Sequence, residues 1–243
     1  MAIIRVENFN KSFGEKHVHK DVSFSVQQGE CLGLIGGSGV GKSVILKSLI
    51  GLIKPDSGRI FVKDQDITDF SEDELIEIRK NVAYVFQNGA LFDSMTVYDN
   101  LAYPLREHTH LAESEIQGRI FSLLEEFGLS GNEKTLPAEL SGGMQKRVGL
   151  ARSIILQPEV VLYDEPTAGL DPYNTIKIQE MILALKKKGK TSIFVTHDMP
   201  SARAVCDRMA LIVNGSIQAE GTFDDMKKEK DGLLNQFIEG RMN

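Results

Sequence analysis

The stretch that most constrains this chain is Gly36-Gly37-Ser38-Gly39-Val40-Gly41-Lys42-Ser43, which fits the phosphate-loop pattern G-x-x-x-x-G-K-[ST]. Its flanks agree with it. Residues 31–35 (CLGLI) are short and apolar enough for a buried strand, and residues 44–50 (VILKSLI) read as a buried helix. A polyphosphate needs several N–H donors converging on one concave spot. Glycines let the backbone approach and take left-handed angles, and the helix N-terminus adds partial positive charge. In this pattern Lys42 reaches the β- and γ-phosphates and the Ser43 hydroxyl sits on Mg²⁺. A plain glycine turn before a helix would explain the glycines but not Lys-Ser at this spacing.

At 243 residues the chain can bury one large core, or a core with a subdomain. Its 28 basic and 34 acidic residues give a net charge of −6 with no basic block, which argues against a nucleic-acid partner. No apolar run approaches the roughly eighteen residues that suggest a membrane span. The start, MAIIRVENFNKSFG, lacks the apolar stretch of a signal peptide, so any membrane link is expected to pass through a partner. Cys31 and Cys206 lie in apolar contexts and read as reduced core thiols of a cytosolic protein.

Strands are predicted at 3–9, at 22–26 with alternating polarity, at 59–62 after the turn KPDSG, and at 82–86. Ser71-Glu72-Asp73-Glu74 has capping-box form and predicts a helix to about residue 79. Phe13 is either a core aromatic or a ligand contact. Gln87, at the end of its strand, is either a surface residue or an amide placed at a metal and an attacking water. From about 88 to 149 the strand signal disappears. Thr96 caps a helix to about 103 that Pro104 interrupts, and Ile116, Ile120, Leu123, Leu124 and Phe127 recur at helical spacing up to Gly128. The pair His108 and His110 has no further ligand at zinc spacing and reads as exposed.

Leu140-Ser141-Gly142-Gly143-Met144-Gln145 opens another helix, either as a simple cap or as a second phosphate grip. The strand 160–163 ends in Asp164-Glu165, carboxylates at the strand edge where α/β proteins bind ligands. Asp164 suits Mg²⁺, and Glu165 can take a proton from water. Asp171-Pro172 caps a helix closed at Gly189, and His197 follows the strand 192–195 as a candidate γ-phosphate sensor. Asn214-Gly215 predicts a type I′ hairpin, and the tail from 222 carries the apolar patch Leu233, Leu234, Phe237 and Ile238.

Taken in order, GGSGVGKS at 36–43, Gln87, LSGGMQ at 140–145, VVLYDE at 160–165, AGLD at 168–171 and His197 resemble the ATP-binding subunits of ABC transporters over nearly the whole chain. The resemblance implies an α/β fold. Its P-loop NTPase (RecA-like) core would span 1–87 and 150–243, with an N-terminal antiparallel β region, and an inserted helical subdomain would span 88–149. It also implies that Phe13 stacks on adenine where the family most often has tyrosine, and that ATP phosphates lie on Gly36 to Ser43. Ser43, Gln87 and Asp164 would organise Mg²⁺, Glu165 would be the general base, and His197 would contact the γ-phosphate. Asp171 would couple two sites, and Ser141 and Gly143 would act on ATP held by a second copy in a nucleotide-sandwich dimer.

A finer resemblance, to the ATPases of Mla/Mce-type lipid transporters, rests on FQNGALFDSMTVYDNLAYPLRE at 86–107, Met144, KRVGLAR at 146–152 and FIEG at 237–240. It implies phospholipid cargo and a place on the cytoplasmic face of the inner membrane. The partners would be an integral-membrane permease, an MCE-domain lipid-binding protein and a small STAS-type subunit. Another transporter ATPase, such as a polar amino-acid importer, is the alternative. A repair or translation ABC protein fits less well, since the chain has neither a long coiled-coil insert nor a second cassette. Ala90, Leu91, Phe92, Met95 and Val97 either line a groove for a permease helix or pack the insert onto the core.

Overall fold

Two sheets divide the strands of this chain, for which the computed structural model describes residues 2–228 and 232–241. β1 (Ala2–Phe13) and β2 (Lys16–Gln27) pair antiparallel. Along β2 the inward Val22, Phe24 and Val26 are buried while Asp21 and Ser23 are exposed, the period-two alternation of a half-covered sheet. The chain then crosses to β3 (Cys31–Ile35), buried at all five residues, and passes through the glycine loop into α1 (Lys42–Ser48). β4 (Ser57–Val62) and β5 (Gln65–Asp66) complete the first sheet in the order β2-β1-β4-β5. α2 (Glu72–Asn81) begins in the expected capping box of Ser71 and Glu74 and leads to β6 (Val82–Val85).

Three helices follow before the next strand: α3 (Val97–His108), α4 (Glu113–Glu126) and α5 (Gly142–Ile154). The chain then runs through β7 (Val160–Asp164), α6 (Pro172–Lys187), β8 (Thr191–Thr196), α7 (Met199–Val205), β9 (Arg208–Val213) and β10 (Ser216–Gly221). It ends in α8 (Phe223–Lys228) and α9 (Leu233–Ile238). The second sheet has the order β10-β9-β3-β8-β7-β6, parallel except for the β9–β10 hairpin. Asn214 and Gly215 at that hairpin both have positive φ, 50° and 79°, as a type I′ turn requires.

The parallel sheet is covered on both faces, which is why its strands are apolar runs. Leu32, Leu34, Leu162, Ile193 and Val195 point to the side of the antiparallel sheet and α1. Cys31, Val161, Tyr163 and Phe194 point to the other side and share one cluster with Leu101, Leu105, Ile120, Leu124 and Val148 of α3, α4 and α5. The inserted helices thus share one of the two large apolar clusters, the one on this face of the parallel sheet. α5 runs unbroken through 149–150, where the sequence division between core and insert was expected.

Pro104 does not interrupt α3, contrary to expectation: the helix continues to His108. A mid-helix proline costs about 3 kcal/mol. Leu101 and Leu105, fully buried on either side of it, each contribute about 2 kcal/mol by burial, so packing holds the helix through the break. Cys31 and Cys206 are free thiols, as expected, and their sulfurs face each other at 3.9 Å, a proximity that the sequence did not indicate.

Candidate functional site

The C-terminal ends of β3, β7 and β8 and the start of α1 bring six side chains into two neighbouring groups, one around Asp164 and one around Glu165. Ser43 Oγ donates to Asp164 Oδ1 at 2.6 Å across 121 positions of sequence. Lys42 is buried at 6% exposure, and its ammonium donates to the carbonyls of Gly36 and Gly37 at 2.8 and 2.9 Å. Its Nζ also lies 3.6 Å from Glu165 Oε1. Burial pushes the Lys42 ammonium below its ordinary value, and the charge of Glu165 pulls it back up. His197 Nδ1 is 3.0 Å from Glu165 Oε1, and Thr196 Oγ1 donates to Glu165 Oε2 at 3.3 Å.

Glu165 is placed by its backbone as much as by its partners. Its φ of +49° lies in the left-handed region, strained for a residue with a Cβ, and its N–H donates to the Val195 carbonyl at 3.0 Å. That turn aims the carboxylate back over the glycine loop instead of along β7. The loop itself is shaped for close approach. Gly41 has φ +96°, and a Cβ there would stand 2.6 Å from His19 Nε2. With no side chain to cap α1, Gly41 leaves the first N–H groups of the helix open to an anion. The donors beside it, a serine hydroxyl and a carboxylate 2.6 Å apart, are hard oxygen ligands of the kind Mg²⁺ takes, so these residues fit a nucleotide carrying that cation.

Ser141, Gly143 and Asp171 form a second cluster. Ser141 caps α5, accepting from the Met144 N–H at 3.3 Å, and is exposed; its hydroxyl proton is still able to donate to a ligand. Asp171 caps α6 by accepting from the Asn174 N–H at 3.0 Å, and its other oxygen takes the Asn174 side-chain amide at 2.6 Å. That amide fills the space where a Cβ on Gly143 would sit, so the two helix starts are in direct contact. Lys146 of α5 donates to the Ala168 carbonyl three residues beyond Glu165, tying the same helix to the loop between the carboxylate and Asp171.

Gln87 is exposed just beyond β6, and Phe13 is 49% exposed at the end of β1 with the Lys11 ammonium 5.4 Å from its ring. Phe13 is therefore not a core aromatic. The 90–97 apolar residues divide. Val97 is fully buried and Leu91 packs on the helical core, whereas Ala90 is exposed and Phe92 is 44% exposed, meeting the Tyr103 ring edge-on at 5.4 Å. Among the described residues, no group of three acidic, histidine or cysteine side chains could hold a metal ion, and the 108/110 histidines join none.

The sequence reading missed Tyr84, His19, Asn174, Lys146 and Thr196. Tyr84 donates to Asp164 Oδ2 at 2.7 Å, and burial foremost, then that bond, pushes its phenol well up. A tyrosine or histidine at an inward strand position is a signal in itself, because a buried polar tip requires a partner. Asn174 and Lys146 had no such signal, since polar residues on amphipathic helices are ordinarily solvated.

The ABC transporter family model matches residues 19–168. The "Probable ribonucleotide transport ATP-binding protein mkl" of Mycobacterium leprae is 43% identical over 239 residues, covering 98% of this chain and 69% of that one. The "Intermembrane phospholipid transport system ATP-binding protein MlaF" of Haemophilus influenzae is 37% identical, covering 98% of this chain and 90% of that one. Among solved structures, the dimeric post-hydrolysis ATP-binding cassette MJ0796 with ADP and Pi superposes with a TM-score of 0.83 at 30% identity, covering 90% of this chain and 98% of that one.

Proposed function

This chain belongs to the ABC transporter family and is an ATP-hydrolysing subunit of a membrane transporter, and from that premise we propose that its cargo is phospholipid, moved in an Mla/Mce-type system. One observation carries the catalytic reading: beside an open helix start, Ser43 bonds Asp164 while Lys42 and His197 close on the adjacent Glu165, bringing together three stretches far apart in sequence. We assign ATP to the loop Gly36–Ser43, with Phe13 as the exposed face for adenine. Lys42 exchanges its own loop carbonyls for β- and γ-phosphate oxygens. Ser43 and Asp164, joined by Gln87, hold Mg²⁺, which when bound neutralises phosphate charge. Glu165, held by Thr196 and His197, accepts a proton from the attacking water. His197, 58% exposed, contacts the γ-phosphate from its open side.

Ser141 and Gly143 are assigned to ATP on a second copy, with Asp171 coupling the two composite sites of the dimer. The 88–149 segment acts as the helical subdomain that carries this second grip, against a core of 1–87 and 150–243. Phe92 and Ala90, exposed beyond Gln87, are assigned to a cytoplasmic helix of the permease. The lipid assignment is supported by near end-to-end correspondence with the phospholipid-system relative, where the mycobacterial one is longer. An MCE-domain protein and a STAS-type subunit complete the assembly, with this chain at the cytoplasmic face of the inner membrane. Attachment is assigned to the permease; among the described residues no helix is long and apolar enough to cross a membrane.

The test is purification of the tagged chain from its own membranes, followed by reconstitution. A permease with bound phospholipid, and ATP-dependent phospholipid movement between vesicles, is the expected result. A permease that binds ribonucleotides and leaves phospholipid unmoved would overturn the lipid cargo while keeping the ATPase.

A further inference from the structure

We propose that Tyr84 is a positioning residue for the Asp164 carboxylate: its phenol pins one carboxylate oxygen so that the other is presented to a divalent cation held with the nucleotide. The proposal rests on the assignment of Ser43 and Asp164 to that cation. Tyr84 stands on β6 and Asp164 at the end of β7, neighbouring parallel strands in which Tyr84 pairs with Leu162. The phenol donates to Oδ2 at 2.7 Å and the Ser43 hydroxyl donates to Oδ1 at 2.6 Å, so each carboxylate oxygen receives one hydroxyl proton.

The two donors differ in freedom. The Ser43 hydroxyl turns about a single side-chain bond, and Ser43 is only half-buried. The Tyr84 side chain is 8% exposed, its ring is 4.4 Å from that of Phe86, and its backbone carbonyl accepts from Ser153 of α5 at 3.3 Å. A serine hydroxyl that offers a cation a lone pair keeps its proton for Asp164, and Oδ1, which accepts only that one proton, has a second lone-pair site to turn to the same cation. Tyr84 holds Oδ2 from the other side. The carboxylate therefore meets the cation through Oδ1 without rotating. Without the phenol O–H, a carboxylate only 9% exposed loses its fixed donor and turns about its terminal bond. Gln87 follows three residues on, just beyond the same strand, so the cation carboxylate is tied through a side chain to the segment that leaves the core for the inserted helices.

The experiment measures Mn²⁺ binding to the full chain in saturating ADP, by electron paramagnetic resonance of the free ion, for the unaltered protein, Tyr84→Phe and Asp164→Asn. Tyr84→Phe is expected to weaken Mn²⁺ about tenfold while leaving ADP affinity in chelator unchanged, since the phenol touches the carboxylate and not the loop. Mn²⁺ affinity unchanged or tightened in Tyr84→Phe but lost in Asp164→Asn overturns the role of Tyr84 and leaves the cation assignment standing. Affinity unchanged in Asp164→Asn overturns both. Should Tyr84→Phe fail to fold, 3-fluorotyrosine placed at 84 in the otherwise unaltered chain reports instead. Its ¹⁹F resonance is expected to move when Mg²⁺ is added to the ADP-bound protein, and a resonance that does not move sinks the proposal.

Discussion

His19 occupies an inward position of β2, 2% exposed, with Nε2 2.9 Å from the Gly41 carbonyl. The neutral tautomer with its proton on Nε2 donates to that carbonyl, and Nδ1 meets no partner among the described residues. Burial lowers its pKa from the ordinary 6.5, more than the nearby Gly41 and Gly215 carbonyls raise it. The unfolded chain therefore binds this proton at higher pH than the folded one. Stability is complete above about pH 6.5 and falls as pH drops from there through the folded pKa. In His19→Leu this part of the acid sensitivity should vanish. Urea unfolding between pH 7.5 and 5 should show the unaltered protein losing up to about 1.4 kcal/mol per pH unit more than the variant. Equal slopes in the two proteins would mean that His19 is not buried in its neutral form.

The segment between β6 and α3 shows what an element can hide from its sequence. Residues 92–96 look like a loop, yet Asn100 of α3, fully buried, ties them together. Its Oδ1 accepts the Phe92 N–H at 2.9 Å, and its Nδ2 lies within 3.1 Å of the carbonyls of Phe92, Met95 and Thr96. Arg152 of α5 adds donors to Asn100 Oδ1 and to the Gly89 and Ala90 carbonyls. Asn100→Ala leaves the Phe92 N–H, the Met95 carbonyl and an Arg152 N–H without this partner, while the Phe92 and Thr96 carbonyls keep backbone donors, a loss of about 2–3 kcal/mol. The melting temperature should fall by about 5–10 °C. ADP binding should survive at low temperature, because the 36–43 loop lies outside this network. A melting temperature within 1 °C of the unaltered protein would show the loop to be held by other contacts. Caps such as Ser71, Thr96, Ser141 and Asp171 were legible because their chemistry is local. Asn100 and the passage of α3 through Pro104 were not, because tertiary packing decides both.

At the scale of the molecule, the order of the phosphate loop, Gln87, the 140–145 stretch, Asp164-Glu165 and His197 was legible along the chain. The placement of β3 between β8 and β9 was not, since sheet order follows crossovers and not sequence. That order puts the Lys42 network at the strand ends, while Ser141, Gly143, Asn174 and Asp171 form a separate cluster joined to it through the 165–171 loop and Lys146. Two anion-ready clusters in one chain are reconciled if each copy completes the other. The net charge of −6 opposes pairing of empty subunits, and contacts from the start of α5 to phosphates held by the other copy are what should overcome it. Glu165→Gln keeps the shape of the side chain but cannot take a proton, and hydrolysis should fall by roughly 10²–10⁴ while ATP still binds. With Mg-ATP this variant should sediment as a dimer and without nucleotide as a monomer. Adding Ser141→Arg should abolish the dimer, because an arginine at the start of α5 blocks the face that meets the partner's ATP, while each monomer still binds one ATP. If the Glu165→Gln/Ser141→Arg protein dimerises with Mg-ATP as readily as Glu165→Gln alone, the start of α5 is only a helix cap and the shared-site arrangement fails.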